Sequence, residues 1–190
     1  MPPNTKITKE MIIDAAFEIA RNEGAESINA RSIAKKLGCS TQPVMYQFRT
    51  VDEIKEEVYR KADEFHSQYI SDIQGRYDDP MTEIGMLYIR FAVEERNLFR
   101  YLFQSDRLDR NGLDEMIASE EFAPVLGIIS EAAGVDFSAA RDIFATVFLT
   151  VHGFASMLAN NSMEYDEEYI KKILTIVFMG AVGAMKEGLI

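Results

Sequence analysis

Apolar side chains recur along this chain at three- and four-residue intervals, the period of an amphipathic α-helix, and no stretch alternates as a strand would. The first such stripe is Ile12, Ala15, Ala16, Ile19 and Ala20. It predicts a helix over residues 9–22, capped by Thr8 and ended by Gly24. Asn29 then caps a short helix over 30–37, with Ile33, Ala34 and Leu37 inward. Gly38 permits a sharp turn, and Ser40 opens a third helix over 41–47. Thr50 with Glu53 three residues on forms a capping-box pattern. It opens a long helix whose inner face is Ile54, Val58, Ala62, Phe65, Tyr69 and Ile73, running to Gln74. His66 on that helix is expected to face solvent or the body.

A break at residues 75–79 follows, and Asp79-Pro80 starts the next helix. Asn97 is placed to cap a short aromatic helix over 98–104, followed by a charged loop over 105–112. Residues 113–133 read as a helical stretch broken near Ser119 and Pro124. Two long helices finish the chain, one capped by Ser138 over 139–160 and one capped by Asp166 over 167–187. The short joint between them makes them antiparallel neighbours. The fold class expected is all-α: a three-helix head over residues 1–50, with its motif at 29–48, a linking helix at 51–74, and a helical-bundle body over 75–190.

Charge sharpens this division. The 190 residues carry a net charge of −11, which taken whole argues against nucleic acid. Residues 1–50, however, hold seven basic and five acidic side chains, and the rest of the chain is strongly acidic. A mildly basic head on an acidic body suits a protein that touches phosphate with one end. The single cysteine, Cys39, excludes an intrachain disulfide and a four-cysteine zinc site. Two histidines far apart, His66 and His152, make a metal site improbable, and no cofactor is expected. No signal-peptide pattern or run of eighteen uninterrupted apolar residues is present, so a cytoplasmic protein without a membrane partner is expected.

Three short helices, the last two joined by a Gly-containing turn, describe a helix-turn-helix. In that motif one helix crosses the phosphate backbone and the next sets its first residues against base edges in the major groove. Ser40, Thr41, Gln42 and Gln47 supply polar groups there, and Gln42 has the donor–acceptor pair that matches adenine. Tyr46 offers a ring and a hydroxyl to a thymine methyl or a phosphate. Arg31, at the start of the preceding helix, and Lys6, in the N-terminal arm, can reach the backbone.

At these positions the chain resembles the TetR family of transcriptional regulators, over about residues 8–66. Ile12, Ala15, Ala16, Gly24, Arg31, Ile33, Ala34, the run Leu37-Gly38-Cys39-Ser40, Phe48, and the acidic pair before Ile54 carry the resemblance. It implies a homodimer with two DNA-binding heads, a near-palindromic double-stranded DNA operator, and an all-helical ligand-binding body. It also implies repression relieved by a small-molecule effector. Three places depart from the family pattern, the first being the Gln42-Pro43 pair where small residues are more usual. Met45 stands where the family usually has Tyr, and Val51 stands where a phosphate-contacting Lys is usual, a contact that Arg49 replaces.

The body is rich in aromatic residues. Tyr88, Phe91, Phe103, Phe144, Phe148 and His152 are the candidate pocket lining, with Phe144, Phe148 and His152 one helical turn apart. For the dimer interface the stripes of the last two helices are the candidates: Val147, Val151, Phe154 and Leu158 on one, Leu174, Val177, Gly180, Ala181 and Ala184 on the other. Two other classes compete with a regulator. A small helical enzyme would need a nucleophile–base pair, metal cluster or phosphate loop, and no P-loop or dinucleotide glycine pattern is present. A helical adaptor binding only protein would lack salt-dependent DNA binding.

Overall fold

The computed structural model describes residues 7–77, 79–105 and 113–189, the side chains of Asp114 and Glu121 excepted. Among them lie ten α-helices, two short 3₁₀ turns and no strand, as the periodicity predicts. The chain divides into two compact units, Met1–Asp72 with Glu94–Leu108, and Ile73–Val93 with Asp109–Ile190.

The first unit is built on α1 (Lys9–Glu23). The Thr8 hydroxyl accepts from the Met11 N–H at 3.3 Å and starts the helix, and Gly24, at φ +92°, ends it. One face of α1 is wholly buried, with Ile12, Ala16 and Ala20 showing no exposed surface. Against it pack α2 (Ala30–Leu37), α4 (Val51–Ile70) and α6 (Arg96–Phe103). In the capping box of α2, Asn29 Oδ1 accepts from the Arg31 and Ser32 N–H groups at 3.0 Å each. Ser32 Oγ returns the favour to the Asn29 N–H at 3.1 Å. Gly38, left-handed at φ +66°, then turns the chain into α3 (Thr41–Gln47).

The entry to α4 departs from the expected capping box, because Glu53 reaches back to the residue before the N-cap. Thr50 accepts from the Glu53 N–H at 3.2 Å, and Glu53 accepts from the Arg49 N–H at 2.9 Å. This helix stops at Ile70, a turn short of the expected Gln74. Past it the Ser71 and Asp72 N–H groups bond back to the Ser67 and Tyr69 carbonyls, and the N–H groups of Gln74, Gly75 and Arg76 donate to the Glu83 carboxylate.

The short aromatic helix α6 belongs to this first unit and not to the body. It begins at Arg96, and Asn97 does not cap it, because its side chain donates to the Arg21 carbonyl at 3.0 Å. The Arg21 guanidinium pairs with both oxygens of the Glu95 carboxylate. Tyr101 donates to the Lys55 carbonyl at 2.6 Å, and Tyr59 to the Leu102 carbonyl at 3.2 Å. His66 is correspondingly buried, edge-on to Phe103 at 5.0 Å, and does not face solvent.

The second unit contains nearly all of α5 (Pro80–Glu94), then α7 (Leu113–Ile117), a 3₁₀ turn at Glu120–Phe122, and α8 (Ala123–Ala133) with Pro124 in its first turn. The break expected at Ser119 and Pro124 is present, but the expected loop at 106–112 lies outside the described residues. α9 (Phe137–Ala159) packs against α8 and α10 (Glu167–Lys186). Asp136, not Ser138, caps α9, accepting from the Ala139 N–H at 2.9 Å. Asp166 caps α10 as expected, accepting from the Tyr169 N–H at 3.0 Å. Leu126, Ile129, Ala140, Ile143, Phe144 and Val182 form the core among α8, α9 and α10. By length and composition α9 could cross a membrane. It is instead a bundle helix, with its inner face in that core.

Burial pushes the His66 imidazole down to about 4 from an ordinary 6.5. As pH falls below 6.5 the unfolded chain gains a proton that the folded chain refuses until about pH 4. Stability is therefore complete above 6.5 and declines through that window. His152, also lowered by burial, acts in the same direction. Denaturant titrations at neutral pH and near pH ~5 should show the loss, and His66→Leu should flatten it. An unchanged pH dependence in that variant would contradict this account.

Candidate DNA-reading head and helical body

The outward surface of α3 follows from its short length and its single buried anchor. Val44 has no exposed surface and fixes the helix to the head. Gln42, Met45 and Tyr46, one or two residues from Val44, are turned away from it and exposed, and Thr41 at the start of the helix is exposed as well. Tyr46 is 87% exposed. Ser40 occupies the N-cap position, yet its hydroxyl makes no capping hydrogen bond, so it stands available to another acceptor or donor. Pro43, in the first turn, gives up an N–H that has no partner in any helix. Arg31 and Arg49 are exposed on either side of α3 in sequence.

Gln47 stands apart from this group. Its amide donates to the Ile7 carbonyl at 3.0 Å and holds the arm that enters α1. Lys9 lies over the Phe48 ring at 5.2 Å beside it. Lys6 lies outside the described residues.

Among the candidate lining residues, four come together in the second unit. Tyr88 Oη and His152 Nδ1 are 3.0 Å apart, and Ser156 Oγ lies 3.3 Å from His152 Nε2. Phe144, Phe148 and His152 stack in a ladder up α9, with ring centroids 5.9 Å apart at each step. Tyr88 meets Phe148 edge-on, and Phe122 extends the ladder below Phe144. Phe91 is fully buried on α5. Phe103 does not join them, because α6 carries it into the first unit against His66 and Phe99. A separate cavity of about 200 Å³ is lined by Ile117, Ser138, Arg141, Asp142 and Ala145.

The stripes proposed for the dimer interface turn inward in part. Val151, Leu158 and Leu174 are buried within the chain. A Cβ placed on Gly85 of α5 would lie 3.4 Å from Val151 and 3.8 Å from Leu174, so both side chains close over that glycine. Val147, Phe154, Val177, Ala181 and Ala184 are half-buried, and Gly180 is exposed. The outward face lies roughly a third of a turn away, on helices that advance about 100° per residue. It carries Leu149, Gly153 and Met157 of α9 with Ile176, Met179 and Gly180 of α10. Met179 is 62% exposed and Leu149 56%. The pattern of apolar residues could not separate the two faces because both are apolar. The signal that marks the outer one is its pair of glycines, with open space where a Cβ would stand.

Residues 81–174 match the family model described as "Tetracyclin repressor-like, C-terminal domain". The chain belongs to the TetR family. It is a helix-turn-helix transcriptional regulator and not an enzyme. It is 21% identical over 175 residues to the uncharacterised helix-turn-helix-type regulator YobS of Bacillus subtilis, covering 91% of this chain and 90% of YobS. Two solved structures share the fold. One is a TetR-family member from Streptomyces coelicolor A3, with TM-score 0.56, 21% identity, and 89% and 96% of the two chains covered. The other is the multidrug-binding protein EbrR complexed with imidazole, with TM-score 0.54, 19% identity, and 89% and 88% covered.

Gly85 offers a test of the inward packing. Gly85→Ala adds a methyl at ordinary contact distance and should be tolerated or slightly stabilising, since alanine favours the helix. Gly85→Leu must displace Val151 and Leu174 and should cost about 1–3 kcal/mol. Chemical denaturation of both variants would decide it, and equal stabilities would show that the α5 surface is not closed as described.

Proposed function

We propose that this regulator is a homodimeric repressor that leaves its operator when a small molecule enters the second unit. The observation that carries the effector reading is the Tyr88–His152–Ser156 hydrogen-bonded group set into the Phe144–Phe148 ladder. Effector sites combine apolar and aromatic walls with a few placed polar groups, and this cluster supplies both. Its ligand is an aromatic or apolar molecule with a polar atom able to displace the Tyr88–His152 hydrogen bond. The protein works in the cytoplasm, where its DNA is.

In the head, Ser40, Thr41, Gln42 and Tyr46 read the operator, with Arg31 and Arg49 on phosphate. Arg49 takes the place of the lysine that Val51 lacks. Gln47 has a structural role in holding the N-terminal arm. The dimer forms through the outward face of α9 and α10, where Leu149, Met157, Ile176 and Met179 need cover and the glycines let two helix pairs approach closely. A twofold dimer binds two half-sites, so the operator is near-palindromic.

Operator sites selected from genomic DNA give the substrate for three tests. Gln42→Ala and Tyr46→Ala should each weaken operator binding by about tenfold or more, as loss of ~1–3 kcal/mol of base discrimination does, while binding to random DNA changes little. Gln47→Ala should leave that discrimination intact. Leu149→Glu with Met179→Glu should yield a monomer by sedimentation, and a persistent dimer would place the interface elsewhere. For induction, a panel of aromatic and cationic compounds is titrated against the operator complex. Release by an active compound should be lost in His152→Leu, and a regulator indifferent to every compound would count against the effector reading.

A further inference from the structure

A ligand in the second unit can alter DNA binding only if something couples it to the head. The chain passes from the first unit to the second at residues 72–73, directly after α4. The next four residues, 74–77, are each held by a hydrogen bond to α5 or α10. Glu83, in the first turn of α5, is fully buried. Its Oε1 accepts from the Gln74 N–H at 2.8 Å, and its Oε2 accepts from the Gly75 and Arg76 N–H groups at 2.9 and 3.1 Å. Gly75, left-handed at φ +71°, curls the backbone so that three successive N–H groups converge on one carboxylate. Arg76 Nη1 stands 3.8 Å from the same group.

The segment is held a second time, by α10. Tyr77 donates its hydroxyl to Glu167 Oε1 at 2.6 Å, and Lys171 lies 5.7 Å from the centre of its ring. Glu167 is met also by Tyr165 at 3.3 Å and by Arg90 of α5 at 3.7 Å. Burial and the neighbouring carboxylate push the Tyr77 hydroxyl up to about 12, so it remains a donor at any ordinary pH. A buried carboxylate whose lone pairs are filled by backbone donors is costly to move, because each donor it leaves is stranded away from water.

We infer that Glu83 and Tyr77 are positioning residues for signal transfer: they clamp residues 74–77 to α5 and α10, so that displacement of either helix is delivered to the start of the segment that leads out of α4. α5 carries Tyr88 of the effector cluster, and α10 carries half of the outward face. The inference rests on the effector-release reading above, and names the joint through which release travels.

Coupling is reciprocal, so DNA itself serves as the probe. The full-length protein is bound to a selected operator fragment, and amide hydrogen exchange is followed by mass spectrometry. In the wild type, operator binding should change exchange severalfold in α4, in residues 73–77 and in α5. In Glu83→Gln, which keeps the shape but offers one acceptor oxygen in place of two, the change in α4 should remain and that in α5 should vanish. Persistence of the α5 change in that variant overturns the inference. So does a wild type whose residues 73–77 and α5 never respond to operator. Should Glu83→Gln fail to fold, Tyr77→Phe decides in the same way through α10: loss of the response at residues 167–175 supports the clamp, and its persistence overturns it. If operator binding reaches α5 through the clamp but no compound releases DNA, the effector reading fails alone.

Discussion

The buried face of α1 is the constraint on which the head depends. Ile12, Ala16 and Ala20 leave no exposed surface, and the alanines let three helices approach closely. α2 sets α3 at the surface, α4 leads out of the unit, and α6 returns to it from the body. Any residue larger than alanine at 16 or 20 would have to displace one of these neighbours, in an interior packed as densely as a crystal. The polar bonds around α1 are directed by that packing. Arg21 reaches Glu95 and Asn97 reaches the Arg21 carbonyl only because α6 lies against the same helix. The DNA-reading surface is thus a consequence: with Val44 turned inward, Gln42 and Tyr46 have nowhere to point but out.

The body shows a different economy. α9 and α10 are apolar nearly all round, and a helix of that kind must be covered on more than one side. One side is met within the chain, where Val151 and Leu174 close over Gly85. The other, with Leu149, Met157, Ile176 and Met179, is left in water. Between α5 and α9, polar and aromatic groups are interleaved rather than segregated. His152 is engaged at both ring nitrogens, by Tyr88 Oη at Nδ1 and Ser156 Oγ at Nε2, and is stacked on Phe148. Such a group is satisfied without a ligand, so an incoming molecule has to replace its hydrogen bonds as well as fill space.

Most helix starts were legible because capping chemistry is local. Thr8, Asn29, Thr50 and Asp166 each cap the helix that their position announces, because the partner N–H lies two or three residues away. Two failures are local: Ser40 makes no capping hydrogen bond, and Asp136 caps α9 in place of Ser138. The others share a cause. Asn97 was expected to cap a helix and binds Arg21, seventy-six residues distant, and Gln47 was expected at DNA and binds Ile7, forty residues distant. α4 ends at Ile70, and the Gln74 N–H at its expected end donates to a carboxylate of the next helix, nine residues on. His66 was expected to face solvent or the body, because a lone histidine on a polar-flanked helix carries no mark of the aromatic helix that covers it.

From its amino-acid order alone this protein is all-helical, has its helix-turn-helix at residues 29–48, and bears the TetR-family resemblance. Periodicity, caps and turn glycines act over a few residues, so they can be read along the chain. Tertiary structure alone assigned α6 to the head, separated the inner from the outer face of α9 and α10, and brought Glu83 to the loop after α4. Each of those depends on which surfaces meet, and two apolar faces of one helix, or two carboxylates of one composition, differ only in what folding sets against them.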